Sequence, residues 1–538
     1  MISLLLSLAL AVSLRLLGAL LRPVWVDEAA SAIFSAANSS WQTPVNAIVP
    51  LHQFLAALRI DTNSPLLEVS NLLRQEDNHP PLHFLVTALG ARLALGSGEV
   101  ITPLAARLPA VVLGSLAVPL LYQAVWVISG NRRAAQLAAA WMAVSPLAVA
   151  FGVEARHYAL ATNWVCGVLW TLADGWRCQC QGRPQHPGMA LLWASFNLLG
   201  LLSHHLFVVC IGAQLLCLAL LQWRRRGRLC WPGGVTWLPL VSLVVAALWL
   251  VLQGNGGAID QTTWLNFDPS QPQQWLQVPL QVLVTMLSVV LAPGTSLSAG
   301  WQWPFVLLAG VATVIGLIAL TRLLLAAGRP HPIVAAFGLS SVLGLMVVSV
   351  ISGKDLSRAL RYGFLYLPAV VAMVAVAANQ LLQQRRQRTA GILLVCSALC
   401  SLGVATGVAM PASYNPDLFL AKVARESSQP VVLAFNERPV REGKPLIGYE
   451  ALSIAWQLHS KQLDLNRGGL SPRMLLLIGD GQGPPDGLTQ LETLRGPFDL
   501  WLVNAHGTTS LEIQRKDCRH LGYASAGGHL HHHYRCSN

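Results

Sequence analysis

The sequence predicts an all-α polytopic membrane protein with a small α/β domain at its C-terminal end. The chain of 538 residues is 54% hydrophobic and only 11% charged, whereas soluble globular domains are about a quarter charged. Apolar stretches of about 20 residues, the length that crosses a bilayer, recur down most of the chain. From residue 411 onward the sequence becomes polar, with short apolar runs. We therefore expect a membrane region, 1–410, followed by a C-terminal domain, 411–538.

The net charge of +12 does not indicate a nucleic-acid partner, because the positive residues are dispersed along the chain. They form short clusters between apolar stretches, namely Arg132-Arg133, Arg224-Arg225-Arg226 and Arg385-Arg386. The positive-inside rule places such clusters at the cytoplasmic ends of spans. We therefore expect a multi-pass protein of the inner (plasma) membrane with a cytoplasmic N-terminus.

Counting crossings between these clusters predicts eleven spans. The spans are 2–21, 104–128, 134–151, 159–176, 189–202, 206–223, 235–253, 304–325, 333–351, 364–382 and 392–408. A charged residue at mid-bilayer is costly, so the stretch 82–95, with Arg92 in its middle, is assigned to the outer interface. The stretch 276–291 is placed at the same interface by parity. The count leaves the C-terminal domain on the periplasmic side.

The C-terminal domain alternates strand-like and helix-like runs. We predict strands at 431–435, 474–478 and 500–503, with a helix at 450–459. Cys518 and Cys536 belong to this domain, and in an oxidising compartment they are candidates for a disulfide.

The polar residues that are hardest to explain structurally fall on the predicted outer face. They are Asp27, Glu28, Asp77, His79, Glu154, Arg156, Tyr158, His204, His205, Arg358, Arg361 and Tyr362. Ionisable groups at membrane depth are functional candidates by default. Carboxylates beside cations suit transfer of a group away from a phosphate. A carboxylate can take the proton of an acceptor hydroxyl, while arginine neutralises the departing phosphate.

Four motifs in this set resemble the GT-C glycosyltransferases that use polyprenyl-phosphate sugars. The branch they resemble holds the protein O-mannosyltransferases and the lipid A aminoarabinose transferase. The motifs are Val26-Asp27-Glu28-Ala29, then Asn78-His79-Pro80-Pro81-Leu82-His83-Phe84, then Ser145-Pro146 with Glu154-Ala155-Arg156-His157-Tyr158, and Arg361-Tyr362 with Leu367-Pro368. The resemblance implies a GT-C-like fold for the membrane region.

The resemblance also implies roles for individual residues. Asp27 is expected to be the catalytic base or the anchor of the acceptor, with Glu28 as its partner. Glu154 stands for a second acidic motif, which in some relatives helps to hold a divalent metal, so any metal is expected at Asp27 and Glu154. Arg361 and Tyr362 are expected to meet the lipid phosphate.

The remaining polar residues of the outer face are candidates for substrate binding. His79 stands where the aminoarabinose transferase has a lysine near the phosphate, and it would be a weaker cation there. The others in this group are Arg156, Tyr158, His204, His205 and Arg358. Arg107, which lies near Pro109, is interpreted as structural.

Two further patterns are interpreted as structural. His529, His531 and His533 share one face of a strand, and we favour an exposed polar edge over a metal site. Cys178 and Cys180 are expected in a cytoplasmic loop and lack the second ligand pair of a zinc site.

The sequence thus predicts an inverting glycosyltransferase that takes one sugar from a polyprenyl-phosphate carrier. The acceptor would be a lipid, a glycan or a protein at the periplasmic face. One alternative is a polytopic transporter or lipid flippase, which should show related halves or helices broken at mid-depth. The other is a non-catalytic assembly or sensor protein whose external domain carries the function.

Overall fold

The computed structural model describes residues 2–77, 79–226, 237–253, 263–268, 270–294, 302–328, 330–411, 414–437, 448–463, 465, 472–478, 486–504 and 517–537. The helices before residue 411 are α1 (Ile2–Leu21), α2 (Val26–Ser35), α3 (Leu51–Phe54), α4 (Leu66–Glu76), α5 (Leu82–Ala94), α6 (Pro103–Ser115), α7 (Ala117–Ser129), α8 (Arg132–Ala143), α9 (Pro146–Val153), α10 (Tyr158–Cys180), α11 (Pro187–Ser203), α12 (Phe207–Arg226), α13 (Trp237–Gln253), α14 (Pro272–Val290), α15 (Trp303–Ala326), α16 (Pro332–Ser352), α17 (Leu367–Gln383) and α18 (Gln387–Ala405). Helices α19 (Pro416–Glu426) and α20 (Tyr449–Ser460) follow. The strands are β1 (Ile48–Pro50), β2 (Val431–Glu437), β3 (Arg473–Ile478), β4 (Phe498–Val503), β5 (Cys518–Ala526) and β6 (His529–Cys536).

The predicted fold class is confirmed, since the described chain is a helical membrane protein with a small sheet near its C-terminal end. In the described ranges, six helices or helix pairs are long and apolar enough to cross a membrane, and a bent pair can supply a seventh. The helices α5, α11 and α17 are apolar but shorter, as is the apolar part of α13. The figure of eleven spans stays a prediction.

The predicted span 134–151 is sharply bent in its middle. Helices α8 and α9 meet at an angle of 51°. The break lies at Ser145-Pro146, where Ser145 caps α9 and Pro146 is its first residue. Proline disfavours a helical conformation in the residue before it but fits the first turn of a helix. The bend sets the direction of α9, and Glu154 directly follows the last turn of that helix.

The prediction of a loop at Cys178 and Cys180 is wrong, because both residues belong to the last turn of α10. Their cytoplasmic side stays a prediction. No proline or glycine follows Trp176 before Gly182, which has a φ of 69°. Helix propensity therefore carries α10 on to Cys180, and the chain turns at the glycine.

Helices α1 and α9 approach each other closely through a glycine. A Cβ on Gly152 would lie 2.5 Å from Cδ of Arg15, a fully buried residue in the middle of α1. Any larger residue at 152 would have to displace the buried Arg15 side chain. This contact fixes the end of α9 against α1, and these two helices lead to Glu154 and to the segment before Asp27.

The sheet has six strands in the order β1-β3-β2-β4-β6-β5. Strand β2 pairs in parallel with β3 and β4, and the hairpin β5–β6 joins β4 antiparallel. The predicted strands and the helix between them are present, and a disulfide joins Cys518 to Cys536. Strand β1 was not predicted. It comes from the loop after α2 and pairs antiparallel with β3.

The expectation of an exposed histidine edge is wrong, because His529, His531 and His533 are all buried. Strand β6 is an inner strand, and this face of it packs on Phe419 and Trp501. Two of the imidazoles pair with carboxylates. His529 contacts Glu450, and His533 Nε2 lies 3.2 Å from Asp499 Oδ1. A hydrophobic face and buried acids therefore explain the pattern.

One hydrophobic core crosses residue 411. It joins Phe419, Trp456 and Trp501 to Ile33 of α2. The indole N–H of Trp456 also donates to the carbonyl of Ile101 at 2.7 Å. The boundary between the two predicted domains therefore stays a prediction, since the outer loops and the sheet share their packing.

Gln457 of α20 holds the chain at the start of α2. Its Oε1 accepts the backbone N–H of Val24 at 2.9 Å, and its Nε2 donates to Asp417 Oδ1 at 2.7 Å. Lys461, the residue directly after α20, donates to the other oxygen of Asp417 at 2.6 Å. Gln457 is buried, whereas Lys461 is largely exposed. The same carboxylate thus has one buried and one exposed partner.

Replacing Gln457 with alanine should destabilise the protein by about 1–3 kcal/mol, because the buried N–H of Val24 loses its acceptor. The matched variant Lys461→Ala should cost no more than about 1 kcal/mol, since it breaks an exposed ion pair. Thermal unfolding of both purified variants in one detergent measures the difference. Equal losses would mean that Gln457 does not hold the segment.

Candidate functional site

Arg107 of α6 organises the segment that carries Asp27. It is buried, and each of its five N–H groups has an acceptor. Two bonds of 2.7 Å go to the carboxylate of Glu28, and three of 2.8–2.9 Å go to the carbonyls of Ala19, Arg22 and Pro23. Bidentate pairing of this kind is strong and directional. Arg107 therefore fixes the end of α1 and the start of α2 in one arrangement.

Glu28 is a buried anchor for two loops. Besides Arg107, its carboxylate accepts the backbone N–H of Ala155 at 2.8 Å and that of Trp25 at 2.9 Å. Burial by itself raises the pKa of Glu28, but Arg107 and these N–H donors outweigh it and hold the pKa below its ordinary value. The carboxylate is therefore ionised and ties α2 to the loop before α10.

Asp27, the neighbour of Glu28, faces the opposite way, towards two arginines. Its Oδ2 lies 3.1 Å from Nη1 of Arg361 and 3.7 Å from Nη2 of Arg156. Nη1 of Arg156 also donates to the Asp27 carbonyl at 3.2 Å and to Ser31 Oγ at 3.1 Å. The Asp27 side chain is 32% exposed. The first and last of the four motifs therefore meet directly.

A cavity of about 200 Å³ lies beside Arg361. Its polar lining comes from Arg22, Glu154 and Arg361, and the apolar lining includes Phe151 of α9 and Trp264. The Arg361 guanidinium lies 5.4–6.0 Å from the ring centroids of Trp25, Trp264 and Tyr362. At these distances a cation is attracted to the ring faces. The cavity thus has one charged end and one apolar wall.

Glu154 ends α9 and is exposed to the cavity only in part. Its Oε1 lies 3.6 Å from Nη2 of Arg22. Burial raises the pKa of Glu154 to about 7, and the nearby carboxylate of Glu28 adds to the rise, although Arg22 opposes it. A carboxyl group with this pKa can exchange a proton near neutral pH.

Imidazole and phenol rings form a buried cluster next to Arg156. The ring centroid of His157 lies 5.1 Å from that of His79, 4.7 Å from His204 and 4.4 Å from Tyr158. His204 in turn lies 5.7 Å from Tyr362. The cluster therefore joins all but the first of the motifs, since His79, Tyr158 and Tyr362 come from three of them.

Arg358 and His205 lie at the edge of this arrangement. Arg358 is exposed and donates to the carbonyl of Trp264 at 2.9 Å. The backbone N–H of Asp355 donates to the carbonyl of Leu265 at 2.6 Å. Arg358 thus helps to hold Trp264 over Arg361. His205 lies in the turn that joins α11 to α12.

The described residues do not fit the divalent metal that the resemblance implies for some relatives. Among them, no group of three or more His, Cys, Asp or Glu side chains is arranged to hold a metal ion. Asp27 already faces two guanidinium groups, and Glu154 faces a third. Three arginines around the expected ligands repel a cation, so we derive no step through a metal.

Three functional residues of the cavity carry no motif and were not predicted. Trp25 and Trp264 flank Arg361, and Arg22 pairs with Glu154. Trp25 stands two residues before Asp27, and an aromatic residue so close to an acidic motif is a usable signal. Trp264 and Arg22 carry no such signal, because only the folded chain brings them to the cavity.

A known protein family matches the part of the chain that carries two of the four motifs. Residues 78–251 match the family model of dolichyl-phosphate-mannose-protein mannosyltransferases. The match runs from the His79 motif to α13 and includes the loop from Glu154 to Tyr158. It confirms, for this part of the chain, the resemblance predicted from the motifs. A comparison with curated proteins finds no match.

Two solved structures are similar over most of the chain. ArnT from Cupriavidus metallidurans bound to undecaprenyl phosphate is 13% identical, with 98% of this chain and 97% of that chain covered and a TM-score of 0.46. The archaeal oligosaccharyltransferase AglB from Archaeoglobus fulgidus, in complex with an inhibitory peptide and a dolichol-phosphate, is 10% identical. That comparison covers 93% of this chain and 69% of the other, with a TM-score of 0.44. Likeness at this level carries no argument about function.

Replacing Glu28 with alanine should destabilise the protein by about 3–5 kcal/mol, because Arg107 would remain as an unpaired buried charge. Glu426 is a matched control, since it pairs with Lys422 and Arg425 on the surface of α19. Glu426→Ala should cost at most about 1 kcal/mol. Thermal unfolding in detergent compares them, and similar losses would contradict the anchoring role of Glu28.

The stability of the protein should depend on pH through Glu154. Its pKa is about 7 in the folded chain and 4.5 ordinarily, so between these values the folded state holds a proton that the unfolded state releases. The free energy of unfolding should therefore fall as the pH rises from about 4.5 to about 7, by up to about 1.4 kcal/mol per pH unit. Glu154→Gln should lack this contribution. Parallel pH profiles of wild type and variant would show that Glu154 titrates normally.

Proposed function

We propose that the protein is a glycosyltransferase of the inner membrane that moves one sugar from a polyprenyl-phosphate carrier to a hydroxyl group. The observation that carries the proposal is the pairing of Asp27 with Arg361, since Arg361 also lines a cavity that has a charged end and an apolar wall. The mannosyltransferase family match over residues 78–251 supports the same class of donor. An acid and a permanent cation side by side are what transfer from a phosphate requires.

The donor phosphate binds at Arg361, and its prenyl chain follows the apolar wall formed by Leu147, Ala150 and Phe151 of α9. Arg361 is suited to a phosphate because its guanidinium is permanently charged and presents paired donors. The lipid then reaches the cavity sideways from the bilayer. Tyr362 and the rings of Trp25 and Trp264 surround the same guanidinium.

Binding of the phosphate also prepares the base. Asp27 and the phosphate compete for Arg361, so an incoming phosphate releases the Asp27 carboxylate from one of its two arginine partners. The carboxylate then accepts the proton of the acceptor hydroxyl. The acceptor oxygen attacks the anomeric carbon, the bond from that carbon to the phosphate oxygen breaks, and its electron pair leaves with the lipid phosphate. A single displacement inverts the anomeric centre.

Glu28, expected to be a catalytic partner of Asp27, serves as a positioning residue in this scheme. All its polar contacts described above face the interior, and its ionised carboxylate holds α2 in place. Glu154 lines the cavity and can exchange a proton with the acceptor side, since its pKa is about 7.

The reaction takes place at the periplasmic face. This sidedness follows from the basic clusters, which the positive-inside rule places in the cytoplasm, while the acidic motifs lie at the other ends of the spans. The acceptor is a lipid, a glycan or a protein that reaches the membrane surface there.

The decisive experiment measures sugar transfer by the purified protein from undecaprenyl-phosphate donors labelled in the sugar, with mannose and aminoarabinose as the first probes. Asp27→Asn should lower kcat by about a hundredfold or more, because it removes the general base. Binding of the donor should change little.

Asp61→Asn is the matched control, since Asp61 is a partly exposed carboxylate that does not line the cavity. It should transfer at the wild-type rate. Transfer by Asp27→Asn at the wild-type rate would remove Asp27 from the mechanism. No transfer by wild type from any polyprenyl-phosphate donor would reject the proposed function.

A further inference from the structure

A chain of three side chains, Asp77, His79 and Arg156, runs from the end of α4 to the main-chain carbonyl of Asp27. Asp77 caps α4 and is buried, and its Oδ1 lies 2.7 Å from Nδ1 of His79. Nε2 of His79 lies 3.3 Å from Nη2 of Arg156. Arg156 in turn donates to the carbonyl of Asp27 and to Ser31 Oγ.

The donors and acceptors in this chain determine the protonation of His79. An ionised carboxylate only accepts, so Nδ1 of His79 carries a proton that it donates to Asp77. A guanidinium only donates, so Nε2 must offer a lone pair to Arg156. One proton on Nδ1 and none on Nε2 is the neutral imidazole. In this geometry His79 is therefore an acceptor and not a cation.

We infer that Asp77 is a positioning residue of the reaction, which acts through a neutral His79 to aim Arg156 at Asp27. The inference rests on the proposed function, because Asp27 is taken as the base. It replaces the expectation that His79 is a weak cation for the lipid phosphate. Asp77 selects the tautomer of His79, and that tautomer supplies the acceptor that holds Nη2 of Arg156.

The position of Arg156 determines where the proposed base, Asp27, lies. Arg156 holds the main chain of Asp27 through Nη1, so a shift of Arg156 moves the Asp27 carboxylate relative to Arg361. Small displacements of a catalytic group lower the rate of the chemical step more than they weaken substrate binding. Loss of the chain should thus lower kcat and leave the donor KM nearly unchanged.

Two substitutions of His79 distinguish a role as hydrogen-bond acceptor from a role as cation. His79→Gln keeps a neutral acceptor, because its amide oxygen can receive Nη2 of Arg156. His79→Lys has only donors and a positive charge, which repels Arg156. We expect His79→Lys to lower kcat by roughly tenfold to a hundredfold, while His79→Gln retains most of it. A cation role for His79 predicts the reverse order and would overturn the inference.

Asp77→Asn tests the first link. Its amide N–H₂ can face Nδ1 and favour the tautomer with the proton on Nε2, which then meets Arg156 donor to donor. We expect kcat to fall by roughly tenfold with little change in KM. Asp77→Ala leaves Nδ1 with no acceptor at all, and an unchanged kcat in both variants would show that Asp77 does not act through His79. The matched controls His52→Lys and Asp61→Asn make the same replacements at an exposed and a partly exposed position away from the cavity, and both should behave like wild type.

A second measurement needs no donor. The unfolding temperature of His79→Lys should lie below that of His79→Gln, because only lysine places two positive charges together. Equal unfolding temperatures would contradict the contact with Arg156. If wild type transfers no sugar from any donor, the proposed function fails, and this comparison still decides whether His79 is an acceptor for Arg156.

Discussion

The buried pair of Glu28 and Arg107 is the interaction on which the rest of the site depends. Arg107 uses all five N–H groups to hold the end of α1 and the first turn of α2, and Glu28 also accepts a backbone N–H from the loop before α10. Removing either charge would leave the other unpaired in the interior. Asp27 lies one residue from Glu28, so the pair decides where the Asp27 carboxylate points.

The packing of the C-terminal sheet gives this arrangement a second support. Gln457 of α20 accepts the N–H of Val24, and Trp456 donates to the carbonyl of Ile101. The sheet and its helices therefore contact the segments that position the site. They share a hydrophobic core with the outer loops, and they hold the chain three residues before Asp27.

Much of the fold follows from the sequence, because membrane spans are set by local composition. The Ser145-Pro146 bend and the continuation of α10 to Cys180 were missed, although both follow from local backbone preferences. Strand β1 depends on a partner more than 400 residues away. In the site, the motifs indicate Asp27, Arg156 and Arg361. They do not show that the adjacent acids Asp27 and Glu28 face opposite ways. Arg107, which is distant in the sequence, turns Glu28 inward through a tertiary contact. The neutral state of His79 is likewise fixed by Asp77 and Arg156 together.

The central claim is that the acids and arginines of the outer loops form one cavity for a polyprenyl phosphate. A cryo-EM structure of the protein in a lipid nanodisc with undecaprenyl phosphate tests this claim most directly. The account predicts density for the phosphate within hydrogen-bond distance of Arg361, with the prenyl chain along α9 and with Asp27 parted from that guanidinium. A phosphate bound elsewhere, while Arg361 remains paired with Asp27, would contradict it.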